Sequence, residues 1–261
     1  MIATIKKYKE LSKKIRKTIL ELSFNAKSAH LASCLSSADI VTVIFQSFFN
    51  KNKNKFILSK GHAAMLLYAA LYQKKIISKK MINSFCKINS HFEEHPSPKI
   101  NCVDFPTGSL GHGLAAGCGL ALGFKLKKVN QKVFVLISDG ECNEGAVWES
   151  LLFANSKKLN NLIVLIDYNK WQATGRSNEV LSLHSLKKKI SSFNLKTFEI
   201  DGHNHSMIHN IIKKSLSSKK PSVIICNTIK GKGVSFMEDD NNWHYKIPNK
   251  SELTAALSEL S

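Results

Sequence analysis

The sequence predicts an α/β fold: a doubly wound, mostly parallel sheet with helices on both faces, in three layers. Three observations lead to it. Short apolar runs of strand length alternate with helical periodicities between residues 5 and 227, the pattern of βαβ units. The two strongest runs, 132–138 and 161–167, are apolar almost throughout, as strands covered on both faces are. No Pro/Gly/Ser-rich linker and no internal repeat divides the 261 residues, so a single domain over 1–261 is the expected organisation.

The elements follow in order. Ile5, Tyr8, Leu11, Ile15, Ile19 and Leu22 recur at helical spacing and predict an amphipathic helix over 5–24. Ser36 or Ser37 is the expected cap of a second helix through Ile40 to Phe48, Phe56-Ile57-Leu58 reads as a short strand, and Gly61-His62 opens a helix to Leu71. Residues 88–110 hold three of the five prolines and read as an irregular, functional loop. Small residues make 113–126 a helix able to pack closely. Strand 132–138, helix 145–158, strand 161–167, a loop to about 182, a short helix and strand 197–200 come next, then helix 205–217 and strand 222–227. Helix 145–158 supplies a right-handed crossover between two parallel strands.

Composition narrows the function. The formal net charge is +19, yet Arg16 and Arg176 are the only arginines. Reading nucleic-acid bases leans on the planar fork of arginine; scattered lysines predict a solvated basic surface and an anionic substrate instead. Six cysteines without a C-x-x-C pair predict free thiols in a reducing, cytoplasmic compartment. Met1–Lys17 lacks the apolar core of a secretory signal, and no apolar run has membrane-spanning length.

The chemistry concentrates at two strand ends. Ser138-Asp139-Gly140-Glu141 closes the first run; Asp167-Tyr168-Asn169-Lys170-Trp171 closes the second, about one βαβ unit later. Neighbouring parallel strands would present a carboxylate and an amide oxygen at the carboxyl edge, where open α/β sheets bind ligands. Two hard oxygen ligands there suit Mg²⁺ or Ca²⁺ carrying a diphosphate. Two other motifs are set aside. His91-Phe-Glu-Glu-His95 has the H-x-x-E-H spacing of a zinc helix, but Pro96 disfavours helical dihedrals at His95. Gly111-His-Gly-Leu-Ala-Ala-Gly117 imitates a dinucleotide fingerprint without a preceding strand or a following acidic residue.

Asp139-Gly140 followed by Asn169 resembles the thiamine diphosphate (ThDP) motif, and the surrounding residues resemble transketolase, in particular the N-terminal subunit of two-chain transketolases. The matching segments are Ser28-Ala-His30, Leu58-Ser-Lys-Gly-His62, Thr107-Gly-Ser-Leu-Gly-His-Gly113 and Gly140-Glu-Cys-Asn-Glu-Gly145, then Asp201-Gly-His203, Thr228-Ile-Lys-Gly-Lys-Gly-Val234 and Trp243-His244. The resemblance implies the diphosphate-binding domain of the ThDP fold. It implies Asp139, the Asn169 side chain and the Trp171 backbone carbonyl as Mg²⁺ ligands, with Gly140 and Glu141 also at the cofactor. Gly108-Ser109-Leu110 and His112 are implied at the aminopyrimidine, His62 and His244 beside the diphosphate and thiazolium, and His30 and His95 at the sugar hydroxyls. Glu144 is implied in a carboxylate network joining two active sites. His184, His205 and His209 are read as solvated.

The departures lie where sugar or pyrimidine would sit: Ser28-Ala-His-Leu-Ala32 replaces Ser-Gly-His-Pro-Gly, and His112 replaces a glutamine. They leave central carbon metabolism and sugar or polysaccharide biosynthesis both open. The pyrimidine-binding domain of the family is expected on a partner chain, in an α2β2 assembly, with two-carbon ketol transfer as the activity. An E1-α-like or deoxyxylulose-phosphate-synthase-like ThDP enzyme, or a non-catalytic stabilising partner, are the alternatives.

Overall fold

Five apolar segments pair into one sheet. Strands β1 (Asn54–Leu58), β2 (Lys132–Ser138), β3 (Leu162–Tyr168), β4 (Lys196–Asp201) and β5 (Ser222–Asn227) lie in the order β1-β2-β3-β5-β4. Every pairing is parallel. The structure, a computed structural model, describes residues 2–261; Met1, the first residue of the Met1–Lys17 stretch, lies outside them.

Alternation along each strand divides its side chains between two cores. Phe56, Leu58, Phe134, Leu136, Ile163, Leu165 and Ile224 share one core with α1 (Ile2–Ala26), α2 (Leu31–Ser36), α3 (Ala38–Val43), α4 (Ala64–Gln73) and α10 (His205–Leu216). Ile57, Val133, Val135, Ile137, Val164, Ile166 and Ile225 share the other with α6 (His112–Leu126), α7 (Gly145–Ser156) and α9 (Leu186–Ser191). This is the three-layer arrangement the strand composition predicts, because a strand buried on both faces has no polar side to show. Each fully buried Leu, Ile, Val or Phe contributes roughly 1.5–3 kcal/mol.

The boundaries shift at several places. The expected helix 40–48 is α3 followed by a π-turn over Ile44–Phe48, and Ser37 separates it from α2 without a side-chain cap. Short helices α2, α5 (Lys79–Ile82) and α8 (Ser177–Val180), and the C-terminal α11 (Lys250–Glu259), add to the predicted set. The start of α11 carries a capping box: Asn249 Oδ1 accepts the Glu252 N–H at 2.9 Å and Glu252 Oε2 accepts the Asn249 N–H at 2.9 Å. Residues between α5 and α6 form no further helix or strand, so His91 to His95 is not helical.

The small residues of α6 permit its approach to the sheet. A Cβ on Gly117 would stand 2.4 Å from Val135 Cγ2, whereas one on Gly119 would meet nothing within 4 Å. Alanine favours a helix over glycine by ~1 kcal/mol at both sites. Overpacking costs about 1–3 kcal/mol at Gly117 only. In urea unfolding, Gly117→Ala is expected to destabilise the protein and Gly119→Ala to leave it unchanged or slightly more stable; equal effects would refute the close packing.

Candidate active site

The β2–β3 register pairs Ser138 with Asp167, so Asp139 and Asn169, each just past its strand, meet at the carboxyl edge of the sheet. Asp139 is completely buried. Its Oδ1 accepts the Gly140 N–H at 3.0 Å; its Oδ2 accepts the Lys170 N–H at 2.7 Å and the Ser177 hydroxyl at 2.9 Å. All three donors are neutral, and among the described residues no ion pair includes Asp139. Burial, reinforced by the neighbouring Asp167, pushes its carboxyl up to about 7. Asn169 Oδ1 accepts the Trp171 N–H at 3.0 Å. Among the described residues no backbone donor reaches the Trp171 carbonyl, and the buried Gln172 Nε2, whose side chain packs over Gly140, also lacks a partner.

This donor set fits a hard divalent cation with a diphosphate. A buried carboxylate lacking a counter-cation, an amide oxygen and a carbonyl suit Mg²⁺ or Ca²⁺, which take oxygen ligands. The unpartnered amide nitrogen of Gln172 is a hydrogen-bond donor left free for an anion.

Asp167 is balanced from within. Lys60, fully buried, forms an ion pair with Asp167 Oδ2 and donates to the Ser33 carbonyl at 2.9 Å. Ser36 and Asn169 also donate to Asp167 Oδ2, and the Thr228 hydroxyl donates to Oδ1. Burial, the largest single effect, pushes this carboxyl up, but the Lys60 charge together with the hydrogen bonds from Lys60, Ser36 and Thr228 holds it below its ordinary value. Glu141 is buried as well; it accepts from the Ser59 hydroxyl, the Gly111 N–H at 3.0 Å and the Ser138 N–H at 2.9 Å. It braces the loop before α6 against the end of β2.

Three histidines predicted from distant segments converge. The ring centroid of His30 lies 5.5 Å from that of His62 and 5.1 Å from that of His244, and the His62–His244 separation is 6.0 Å. His30 adopts a left-handed φ of 66° and its N–H donates to the His244 carbonyl at 2.8 Å. His95 packs at the Gly108 turn, its ring lying 3.2 Å from a Cβ position on Gly108. Burial, then the Lys60 charge, holds His62 well below its ordinary value. Burial followed by the Lys230 charge lowers His244 to about 3. Ser109, His112 and Glu144 are exposed, and the Glu144 side chain lies against Gly111.

Several contributors escape a sequence reading. Lys230 is buried, donates to Asn241 Oδ1 at 2.6 Å, lies 3.0 Å from His244 Nδ1, and is lowered to about 8, first by burial and then by Lys60. Arg16 is buried and pairs with Asp39 on both terminal nitrogens. The uniformly solvated basic surface expected from composition therefore excludes Lys60, Lys230 and Arg16. His205 corrects a second expectation: it is buried, 2.8 Å from Ser12 Oγ and 3.1 Å from Asp39 Oδ1. His209 is half-buried, with Nδ1 2.7 Å from the Tyr8 hydroxyl. Of these, Lys60 and Lys230 carry a sequence signal, since each lies inside a segment that carries the resemblance, Leu58-Ser-Lys-Gly-His62 and Thr228-Ile-Lys-Gly-Lys-Gly-Val234.

Two outcomes test these energetics. Lys60→Met strands a buried carboxylate and is expected to cost about 3–5 kcal/mol in urea unfolding, most of it recovered by adding Asp167→Asn; a double variant as unstable as the single would refute the pairing. His244 in the unfolded chain protonates near its ordinary 6.5, in the folded one only at about 3. The unfolded state thus binds more protons across that window, and stability falls as pH drops through it. His244→Gln should lose less stability than the parent between pH 7 and pH 4; parallel losses would refute this.

The chain matches the family described as transketolase, thiamine diphosphate binding domain, over residues 8–258. It is 32% identical over 259 residues to an apulose-4-phosphate transketolase subunit from Phocaeicola vulgatus, covering 96% of this chain and 92% of that protein. The protein of the same name from Actinobacillus succinogenes is 34% identical over 266 residues, with 97% and 96% covered. Human transketolase is 33% identical over 265 residues, 97% of this chain but 42% of that protein, so the chain spans less than half of a full-length transketolase. Solved transketolases from Campylobacter jejuni and Pichia stipitis superimpose with TM-scores of 0.86 and 0.89, each at 23% identity and over 97% of this chain, covering 46% and 40% of theirs. By this match, and with the same parallel sheet, the chain belongs to the transketolase family as its thiamine diphosphate binding domain.

Proposed function

We propose that this chain is the diphosphate-binding subunit of a split, Mg²⁺-dependent transketolase that moves a two-carbon ketol unit between anionic sugars in the cytoplasm. The observation that carries the proposal is Asp139, a buried carboxylate at the sheet edge with only neutral partners. Asp139, Asn169 and the Trp171 carbonyl hold Mg²⁺, or Ca²⁺ in its place. Gly140, with Gln172 over it, and Glu141 frame the diphosphate. When bound, thiamine diphosphate supplies the carbanion chemistry of ketol transfer.

The remaining roles belong to side chains of this chain. His62 and His244, kept neutral at pH 7 by burial, donate to or accept from groups at the cofactor. His30 and His95 orient the sugar hydroxyls, and Gly108, Ser109, Leu110 and His112 line the pyrimidine side. Glu144, exposed before α7, couples the site to a second copy. The two bacterial relatives named as transketolase subunits, matched over nearly their whole length, support a partner chain carrying the pyrimidine-binding domain, in an α2β2 assembly. The six cysteines are all free, as a reducing compartment favours, and among the described residues no helix is long and apolar enough to cross a membrane.

Ketol transfer from a ketose to an aldose acceptor, assayed with this chain alone and with its partner, is expected only from the pair; full activity of the lone chain would overturn the split arrangement. In the complex, calorimetry should show Mg²⁺-dependent ThDP binding that Asp139→Ala weakens at least ~100-fold, the upper range for disturbing metal-site groups. Binding without any dependence on Mg²⁺ or Asp139 would overturn the metal assignment, and no binding at all would favour a stabilising, non-catalytic role.

A further inference from the structure

Asp39 lies on α3, away from the strand edge, yet two routes tie it to the histidine cluster. Arg16 Nη1 and Nη2 donate to its two oxygens at 3.0 and 2.7 Å, and Arg16 Nε donates onward to the Lys232 carbonyl at 2.8 Å. On the other side, His203 Nδ1 lies 2.9 Å from Asp39 Oδ2 while His203 Nε2 accepts the Ile229 N–H at 2.9 Å. A ring nitrogen that accepts carries no proton, so the proton of neutral His203 sits on Nδ1 and is donated to Asp39. A carboxylate oriented in this way fixes the tautomer and sharpens the acceptor at the far nitrogen, as it does for histidines that bind metals.

One carboxylate thereby grips both ends of the turn 229–232, through an imidazole at Ile229 and a guanidinium at Lys232. The turn itself is tight: Gly231 has φ 79°, and a Cβ there would stand 2.1 Å from the Met237 carbonyl oxygen. Between the two anchors is Lys230, whose ammonium reaches Asn241 and His244. A lysine side chain is long and flexible. Fixing the backbone on both sides is what makes a single position for its nitrogen attainable.

We infer that His203 is a positioning residue: the Asp39–His203 pair fixes the Ile229–Lys232 turn and so sets Lys230 against His244. Its importance to activity rests on the proposed role of His244; its geometry does not. No catalytic contact by His203 is implied, since it acts only through the turn. Two replacements separate its two bonds. Asparagine keeps a donor toward Asp39 but is too short for Ile229, whereas glutamine places an amide oxygen near the Nε2 position and keeps the acceptor.

The test uses the full chain with ¹⁵N-labelled histidine. In the unaltered protein His203, its ring signals assigned by through-bond correlation to its own backbone, is expected as the Nδ1–H tautomer; an Nε2–H tautomer would overturn the inference even if no variant folded. Lys230→Met sets the reference, because removing that charge should raise the titration midpoint of His244. His203→Asn is expected to reproduce at least half of the rise and His203→Gln less than a quarter. Adding Lys230→Met to His203→Asn should give no more than Lys230→Met alone, the non-additivity of two changes on one route. A His244 midpoint unmoved by His203→Asn, or moved equally by Asn and Gln, would reduce His203 to ordinary packing. None of these readings needs cofactor or partner, so failure of the ketol-transfer assignment is recognisable separately.

Discussion

The buried pair of Lys60 and Asp167 is the interaction on which the carboxyl edge of the sheet depends. Lys60 follows β1, Asp167 belongs to β3, and their shared partners come from elsewhere: Ser33 and Ser36 on α2, Thr228 after β5, Asn169 beyond β3. Taking two charges out of water costs several kcal/mol per ion, and only good geometry with every remaining donor and acceptor satisfied offsets it. Here the satisfaction is supplied by segments far apart in the chain. The electrostatic requirement of one ion pair therefore doubles as the device that collects the loops.

That commitment leaves a charge imbalance beside it. Two carboxylates, Asp139 and Asp167, are buried at adjacent strand ends, and Lys60 is held by one of them. The second, raised to about 7 by burial and by its neighbour, is stabilised best by a cation from outside. Burial first, and then Lys60 for His62 and Lys230 for His244, depresses these imidazoles, so buried cations that organise the edge also help to keep them neutral. Electrostatics at the strand edge and histidine basicity are thus coupled through the same few buried charges.

The five strands and the Asp139…Asn169 edge are legible in the sequence because both depend on local pattern: a strand covered on two faces must be apolar, and its polar end must stand out. The histidines His30, His62 and His244 are legible by their order and neighbouring residues, and they do converge. Pairing across long stretches of chain is not legible. Arg16 and Asp39 belong to different helices, and His203 joins them from beyond β4; nothing in a basic, lysine-rich composition marks which cations go inside. The burial of His205 is hidden for the same reason, since its partners Ser12 and Asp39 lie far upstream. Helix α11 does carry a visible signal, Asn249 three residues before Glu252, but its sparse apolar residues give it little periodicity.

The left-handed backbone of His30, strained for a residue with a Cβ, is held by its bond to the His244 carbonyl. These two residues are separated by most of the sequence, and synthesis proceeds from the N-terminus. The histidine cluster therefore cannot close on the ribosome until the segment around His244 has emerged. The sheet, complete at Asn227, can form earlier. A nascent chain thus has its scaffold before its site, and the imidazoles meet only once that late segment is available to hold them.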